Sequence, residues 1–274
     1  MTLVVKADGT TEEFDFTKLQ RSLRRSGASE ADAKEIASHV EAEIHEGIHT
    51  QEIYRHAFSF LKAREEPAVV ARYSLRRALF GLGPTGFPFE DFLARLFEYE
   101  GYTAKTGMIV KGKCATHEID VAAYKADHAF IVEAKFHARP GIKSDLQVAL
   151  YSYARMLDLR DEKLCGDDVC GVKDLWIITN TKFTSAAVNY AACVGLNLLG
   201  WDYPAKNNLY DRVQASKLYP ITVLQSLTDG EKAMLLSKEI IVCADIVKKP
   251  HILRHIRATE RKAEAIISEA RQLS

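Results

Sequence analysis

The first eighty positions show two kinds of apolar rhythm. Residues 3–6 and 13–16 are short apolar-containing runs on either side of Asp8-Gly9, a strong tight-turn dipeptide, so the pattern predicts a β-hairpin. After it, apolar side chains recur three and four residues apart over 17–26, 29–46, 50–63 and 67–79, the spacing of one helix face. Thr17, Ser29 and Thr50 stand where N-caps belong, and Pro67 suits a first helical turn. The rhythm stops at GLGPTGFP (81–88), whose glycines and prolines cannot continue a helix. A first domain of residues 1–83 is expected, a hairpin followed by four helices.

Beyond that punctuation, strand and helix alternate. Residues 89–99 form an amphipathic pattern with Phe89, Phe92, Leu93, Leu96 and Phe97 on one face. Strands are expected at about 107–111, 118–124 and 129–135, a helix at 143–157, a buried strand at 174–180, a helix at 184–194 and a strand at 196–201. That series describes an α/β sheet domain over 84–205, closed by WDYPAKNN (201–208). Residues 206–274 read as a small helical module, with patches near 219–226, 228–238, 239–247, 250–256 and 258–273. Thr228 followed by Glu231 has the spacing of a capping box.

Charge excludes some partners and leaves others open. The chain has 37 Lys+Arg against 37 Asp+Glu, so neither a strongly basic nucleic-acid coat nor an acidic tail is present. Only residues 231–274 lean basic, with nine basic to six acidic side chains, so a phosphate backbone would be met by local clusters. No run approaches the roughly 18 consecutive apolar residues of a membrane span. The amino end has no basic segment leading into an apolar core, and five cysteines do not read as a disulfide framework. A cytoplasmic globular protein without a membrane partner is expected.

The sharpest chemistry lies in the middle segment. Glu118-Ile119-Asp120 sits on one expected strand, and Glu133-Ala134-Lys135 ends the next, AFIVEAK. Alternation places Glu118 and Asp120 on one face, and Glu133 and Lys135 on one face of theirs. Charges at the carboxyl end of an apolar strand are costly to bury unless they hold a cation or one another. Two carboxylates one strand apart suit Mg²⁺ or Mn²⁺, which polarises a scissile phosphate and acidifies a bound water. The Ala134 carbonyl is placed to add an oxygen ligand, and Lys135 to orient the water and offset phosphorane charge. Glu260-Arg261-Lys262 repeats the spacing inside a polar helical pattern, where it reads as a solvated face.

Asp120 followed by Glu133-x-Lys135, after a helix carrying Glu90 and ending at Gly101-Tyr102, resembles the PD-(D/E)xK nuclease superfamily over residues 87–203. The likeness is to Mrr-type restriction endonucleases and Holliday-junction-resolvase-like enzymes. The resemblance implies a restriction-endonuclease-like sheet, a supporting role for Glu90 on the first helix and for Gln147 on the helix after the lysine strand, and DNA as substrate. The proline that names the motif is missing, Glu118-Ile119 preceding Asp120; the metal is assigned to Asp120, Glu133 and Ala134.

Val5-Lys6-Ala7-Asp8-Gly9, Phe14-Asp15, Lys18-Leu19, Gly47-Ile48-His49-Thr50 and Ile53-Tyr54 resemble, over residues 2–80, the ATP-cone, a nucleotide-binding regulatory module. The resemblance implies phosphate contacts from Lys6 and Lys18, a base and ribose near Val5, Thr50, Ile53 and Tyr54, and ATP or dATP as an effector that shifts a homo-oligomeric state. Arg72, Arg76 and Arg77 fall where the family carries basic residues on its last helix. Where the family has Lys-Arg before Asp-Gly, this chain has Ala7 in the second position.

Weaker signals remain. Cys165 and Cys170 bracket a loop without convincing partners for zinc, and Cys193 and Cys243 are expected as buried hydrophobes. The carboxyl-terminal stretch loosely resembles helix-hairpin-helix elements, implying DNA contacts from Lys248, Lys249, Arg254 and Arg257; a helical cap over a sheet edge is the competing view. Two functions follow: a Mg²⁺-dependent endonuclease acting on DNA under nucleotide control, or a non-catalytic, nucleotide-responsive DNA-binding regulator on a vestigial nuclease fold. Cleavage of RNA or branched DNA stays open.

Overall fold

In a computed structural model, residues 2–126, 128–162 and 172–274 are described; the Cys165 and Cys170 loop lies outside them. The chain opens with an antiparallel hairpin, β1 (Leu3–Val5) and β2 (Thr11–Glu13). Four helices follow: α1 (Phe16–Arg25), α2 (Glu30–Glu43), α3 (Thr50–Arg64) and α4 (Pro67–Phe80). The second hairpin strand lies earlier than residues 13–16, because Asp15 is committed to capping α1, accepting from the Lys18 backbone N–H at 3.0 Å. Thr17 is therefore not the cap and instead donates to Asp15 at 2.6 Å. Ser29 does cap α2, whereas Thr50 is the first residue of α3 and His49 precedes it.

Next come α5 (Phe87–Tyr99), β3 (Thr103–Lys111), β4 (Thr116–Lys125), β5 (His128–Lys135), β6 (Lys143–Ser144), α6 (Leu146–Leu159), β7 (Val172–Thr179), β8 (Lys182–Phe183), α7 (Ser185–Val194) and β9 (Asn197–Leu199). The main sheet has the order β3-β4-β5-β7-β9; β3, β4 and β5 run antiparallel, while β7 and β9 lie parallel to β5. The two-residue β6 and β8 pair beside it. One face is covered by α5, whose Phe89, Phe92 and Phe97 pack with Val121, Ala123, Phe130 and Val132. The other is covered by α6 and α7 over Ala122, Ile131, Leu175 and Ile177. Each large apolar side chain so buried contributes about 1.5–3 kcal/mol.

The remainder is α8 (Leu209–Ser216), a 3₁₀ turn (Ile221–Val223), α9 (Asp229–Leu236), α10 (Cys243–Lys248), a second 3₁₀ segment (Pro250–Ile256) and α11 (Glu260–Leu273). The patch expected at 219–226 is only a 3₁₀ turn, and α8 was not marked by the apolar rhythm. Thr228 and Glu231 form the capping box anticipated for α9. Cys243 is buried, but Cys193 is exposed on α7, so only one of the pair is a core residue. The carboxyl-terminal apolar residues join the core that contains α5 and part of α4, and Ile241 lies near the edge strand β3. α4 therefore has two allegiances, Val69 and Val70 to the amino-terminal core and Ala71, Leu75, Ala78 and Leu79 to this larger one.

Candidate active site

Asp120 stands where two strands part. The β4–β5 ladder ends at Val121 opposite Val132, and the next β5 amide free of it, that of Ala134, donates to the Asp120 carboxylate at 2.7 Å. Strand alternation slips here: Ile119 packs with the α6 side of the sheet, yet Val121 packs with the α5 side. The neighbouring strand makes the same accommodation at Gly107, which adopts a φ of 62° between the pairs Thr106–Val121 and Met108–Ile119. The single-face placement expected for Glu118 and Asp120 thus assumes a regularity that β4 lacks. Glu118 is exposed while Asp120 is half-buried.

Glu133 and Lys135 do share the α6 face. Glu133 is 3 % exposed, and both its oxygens are engaged: one by the Lys135 ammonium and the Tyr151 hydroxyl, the latter at 3.0 Å, the other by the Arg155 guanidinium. Burial works against the Lys135 charge, but its bonds to Glu133 and Tyr151 outweigh that and hold its pKa above the usual lysine range. The strand beyond Lys135 is fixed by β7. Thr179 Oγ1 donates to the Lys135 carbonyl at 2.8 Å, and the Asn180 amide both accepts from the His137 N–H and donates to its carbonyl, each at 2.9 Å.

Glu90, in the first turn of α5, completes the cluster. Burial, then the charges of Asp120, Asp91 and Glu118, push its pKa up to about 7. Burial and Glu133 push Asp120 up to about 6, despite the Ala134 hydrogen bond. Two half-buried carboxylates that repel each other are short of positive charge, and this fits a divalent cation. Among the described residues no three His, Cys, Asp or Glu side chains converge as a ready-made cage. A cation here would rest on one or two carboxylates with water and substrate oxygens, the habit of Mg²⁺.

Gln147 is exposed on α6. It begins a stripe at helical spacing, Gln147, Tyr151 and Arg155, whose last two members reach Glu133. The i, i+4, i+8 recurrence of Gln147, Tyr151 and Arg155 is a signal in the sequence that extends beyond Gln147 alone. Thr179 and Asn180, polar and buried at the end of an apolar strand, were a second signal passed over.

In the amino-terminal part, Lys6 and Lys18 meet on a single carboxylate, Glu12, at 3.2 and 3.0 Å. Val5 is tied by its N–H to the Ile48 carbonyl at 2.9 Å, which brings the segment before α3 alongside the hairpin. Thr50 opens α3, Ile53 is buried in the helical core, and the Tyr54 ring lies parallel to that of Tyr73 with centroids 5.2 Å apart. Arg76 is largely buried and Arg77 exposed, and Arg72 donates to the Ser26 carbonyl at 2.5 Å. In the carboxyl-terminal part, Lys248, Lys249, Arg254 and Arg257 are all exposed within ten residues of one another.

A hairpin with four helices, a mixed five-stranded sheet and a helical remainder make this a mixed α/β protein. Residues 2–79 match the ATP cone domain, and residues 219–274 match the family described as AF1548-like, C-terminal. An uncharacterized protein of Archaeoglobus fulgidus is 38 % identical over 183 residues, covering 66 % of this chain and 99 % of that one. The crystal structure of the protein of unknown function AF1548 is 35 % identical, with a TM-score of 0.57 over 69 % of this chain and 98 % of its own. The chain belongs to the AF1548-like family and carries an ATP-cone, a nucleotide-binding domain, at its amino end. Among the described residues no helix is long and apolar enough to cross a membrane.

Proposed function

We propose that the protein is a metal-dependent nuclease that hydrolyses DNA phosphodiester bonds, regulated by ATP or dATP at its cone. The observation that carries this reading is the pair Glu90 and Asp120, half-buried and short of counter-charge, beside the strand end that bears the Glu133–Lys135 ion pair. Asp120, with Glu90 beside it and the Ala134 carbonyl and Glu133 on the next strand, would hold Mg²⁺ or Mn²⁺. When bound, the ion supplies Lewis acidity to the phosphate and lowers the pKa of a water. Lys135, kept protonated by Glu133, is a fixed donor for the attacking water and the charge that grows on phosphate oxygens. Tyr151 and Arg155 keep Glu133 and the ammonium in place, and Gln147, exposed one helical turn before Tyr151, would support the site from α6. Lys248, Lys249, Arg254 and Arg257 form a local basic cluster suited to a phosphate backbone, which is read without regard to bases. Lys6 and Lys18, sharing Glu12, are the cone's phosphate contacts, with Glu12 an internal anion that a nucleotide would displace.

Plasmid incubated with the protein and Mg²⁺ or Mn²⁺, with and without ATP or dATP, should be cut, and Lys135→Ala should slow cutting by about 100-fold or more. Intact plasmid under every condition would overturn the reading. One observation favours a second function, a nucleotide-responsive DNA-binding regulator: both Glu133 oxygens are already taken by cations and a hydroxyl, as in a purely structural ion cluster. Calorimetry separates the two, since a vestigial site gives no Mn²⁺ heat that Glu133→Ala removes.

A further inference from the structure

A cleft of about 650 Å³ opens between the cone and the carboxyl-terminal part. One wall is Tyr54 and Phe58, a turn apart on α3, with Arg77 of α4; the opposite wall is Gln225 and Lys232. The volume suits a small-molecule site. Its walls combine flat aromatic surface with two cations and one carboxylate: the Arg77 guanidinium lies 5.8 Å from the Tyr54 ring centroid, Lys232 reaches in from α9, and Asp229, one helical turn before Lys232, lies on the same rim.

Lys232 is poorly compensated for its position. Its side chain is only 16 % exposed, yet the carboxylate nearest it in an ion pair, Asp229, is 4.0 Å away and itself fully open to water. Such a contact is weak. Glu269 is within electrostatic range, but its oxygens already accept the Gln225 and Ser226 amides at 2.7 and 2.9 Å. Burial depresses the Lys232 pKa, the charges of Asp229 and Glu269 offset only part of that, and the charge of Arg77 adds a smaller depression, so the ammonium sits in the cleft with incomplete compensation.

We propose that this cleft is a polyphosphate site, with Arg77 supplied by the cone and Lys232 by the carboxyl-terminal part. The ligand class rests on the nucleotide reading of the cone; the second anchor, from outside the cone, is new. A phosphate chain between the two cations replaces their repulsion with charge-assisted hydrogen bonds. It also makes binding depend on both parts of the chain, so that the ligand acts as a clamp between them. The same chemistry is offered by the nucleotide held at Lys6 and Lys18 or by a separate polyphosphate ligand.

Calorimetric titration of the full-length protein with ATP, and separately with inorganic tripolyphosphate, distinguishes these. Lys232→Gln should weaken both by about tenfold or more, Lys232→Arg should restore them, and Arg77→Gln should repeat the loss. Lys6→Ala assigns the source: a matching loss for ATP places one nucleotide across both sites, and no loss makes the cleft a site of its own. ATP binding that needs Lys6 but ignores Lys232 and Arg77 overturns the cleft and leaves the cone reading standing. Tripolyphosphate bound through Lys232 with no binding of ATP does the reverse. Binding of neither ligand overturns both.

Discussion

The carboxylates Asp120 and Glu90 impose a pH dependence that can be worked out from their surroundings. In the unfolded chain they ionise near their ordinary values, about 4. In the fold, burial and the neighbouring charges raise them to about 6 for Asp120 and about 7 for Glu90. Between those limits the folded state binds more protons than the unfolded one, so these two groups make stability fall as pH rises from about 4 to about 7. Asp120→Asn combined with Glu90→Gln should flatten that slope in melting curves taken across the same window. Mn²⁺ should act in the opposite sense, its gain in Tm growing as pH rises, because only the ionised carboxylates bind it. A double variant with an unchanged slope would mean that these carboxylates are hydrated as in the unfolded chain. The strand ending in Glu133 and Lys135 was legible beforehand, because an apolar run that closes on charges has few other placements. Tyr151 and Arg155 were not, since the helix pattern gives which residues share a stripe but not which strand end the stripe meets.

At the scale of elements, the β3–β4 turn is held by a helix rather than by its own sequence. Asp158, in the last turn of α6, accepts from the Cys114 N–H at 2.7 Å, the Ala115 N–H at 3.1 Å and the His117 ring at 2.7 Å. The His117 bond, the largest of these influences, and the two amides hold the Asp158 pKa down to about 2. Its stabilising contribution is therefore complete above the ordinary aspartate value and is lost as pH falls towards about 2. Asp158→Asn should lower Tm by a few degrees at neutral pH and by progressively less in acid, while leaving the β4–β5 opening intact. The helices of the amino-terminal part were legible from their periodicity, although of the three expected caps only Ser29 holds that position. The second hairpin strand was misplaced because Asp15 is claimed by a cap, a side-chain preference that competes with strand pairing. α8 escaped because Asn208 and Asp211 define it by capping, with few apolar repeats to announce it.

Across the whole molecule, the nucleotide hairpin and the candidate site are joined by a close backbone approach. Lys135 leads into residues 136–141, a segment anchored at His137 by Asn180 and ending at Gly141. A Cβ at Gly141 would stand 3.0 Å from the Asp8 nitrogen and 3.1 Å from the Ala7 carbonyl carbon, so the segment rests on the hairpin turn itself. Gly141 also has a φ of 92°, which side-chain-bearing residues adopt only with strain. Ala7, the departure from the cone pattern, sits at this contact, a relation between residues more than a hundred positions apart that no local pattern encodes. The same is true of α4, which packs into both the amino-terminal core and the larger one. A nucleotide that shifts the hairpin turn must push on this segment and hence on the strand end bearing Lys135; a displaced site shifts the hairpin in return. Gly141→Val should therefore weaken ATP binding and blunt the effect of ATP on plasmid cutting, while Mn²⁺ heats in the absence of nucleotide stay close to those of the unaltered protein. Full nucleotide response in Gly141→Val would show that the signal travels by another route, through α4 and the carboxyl-terminal part that packs on it.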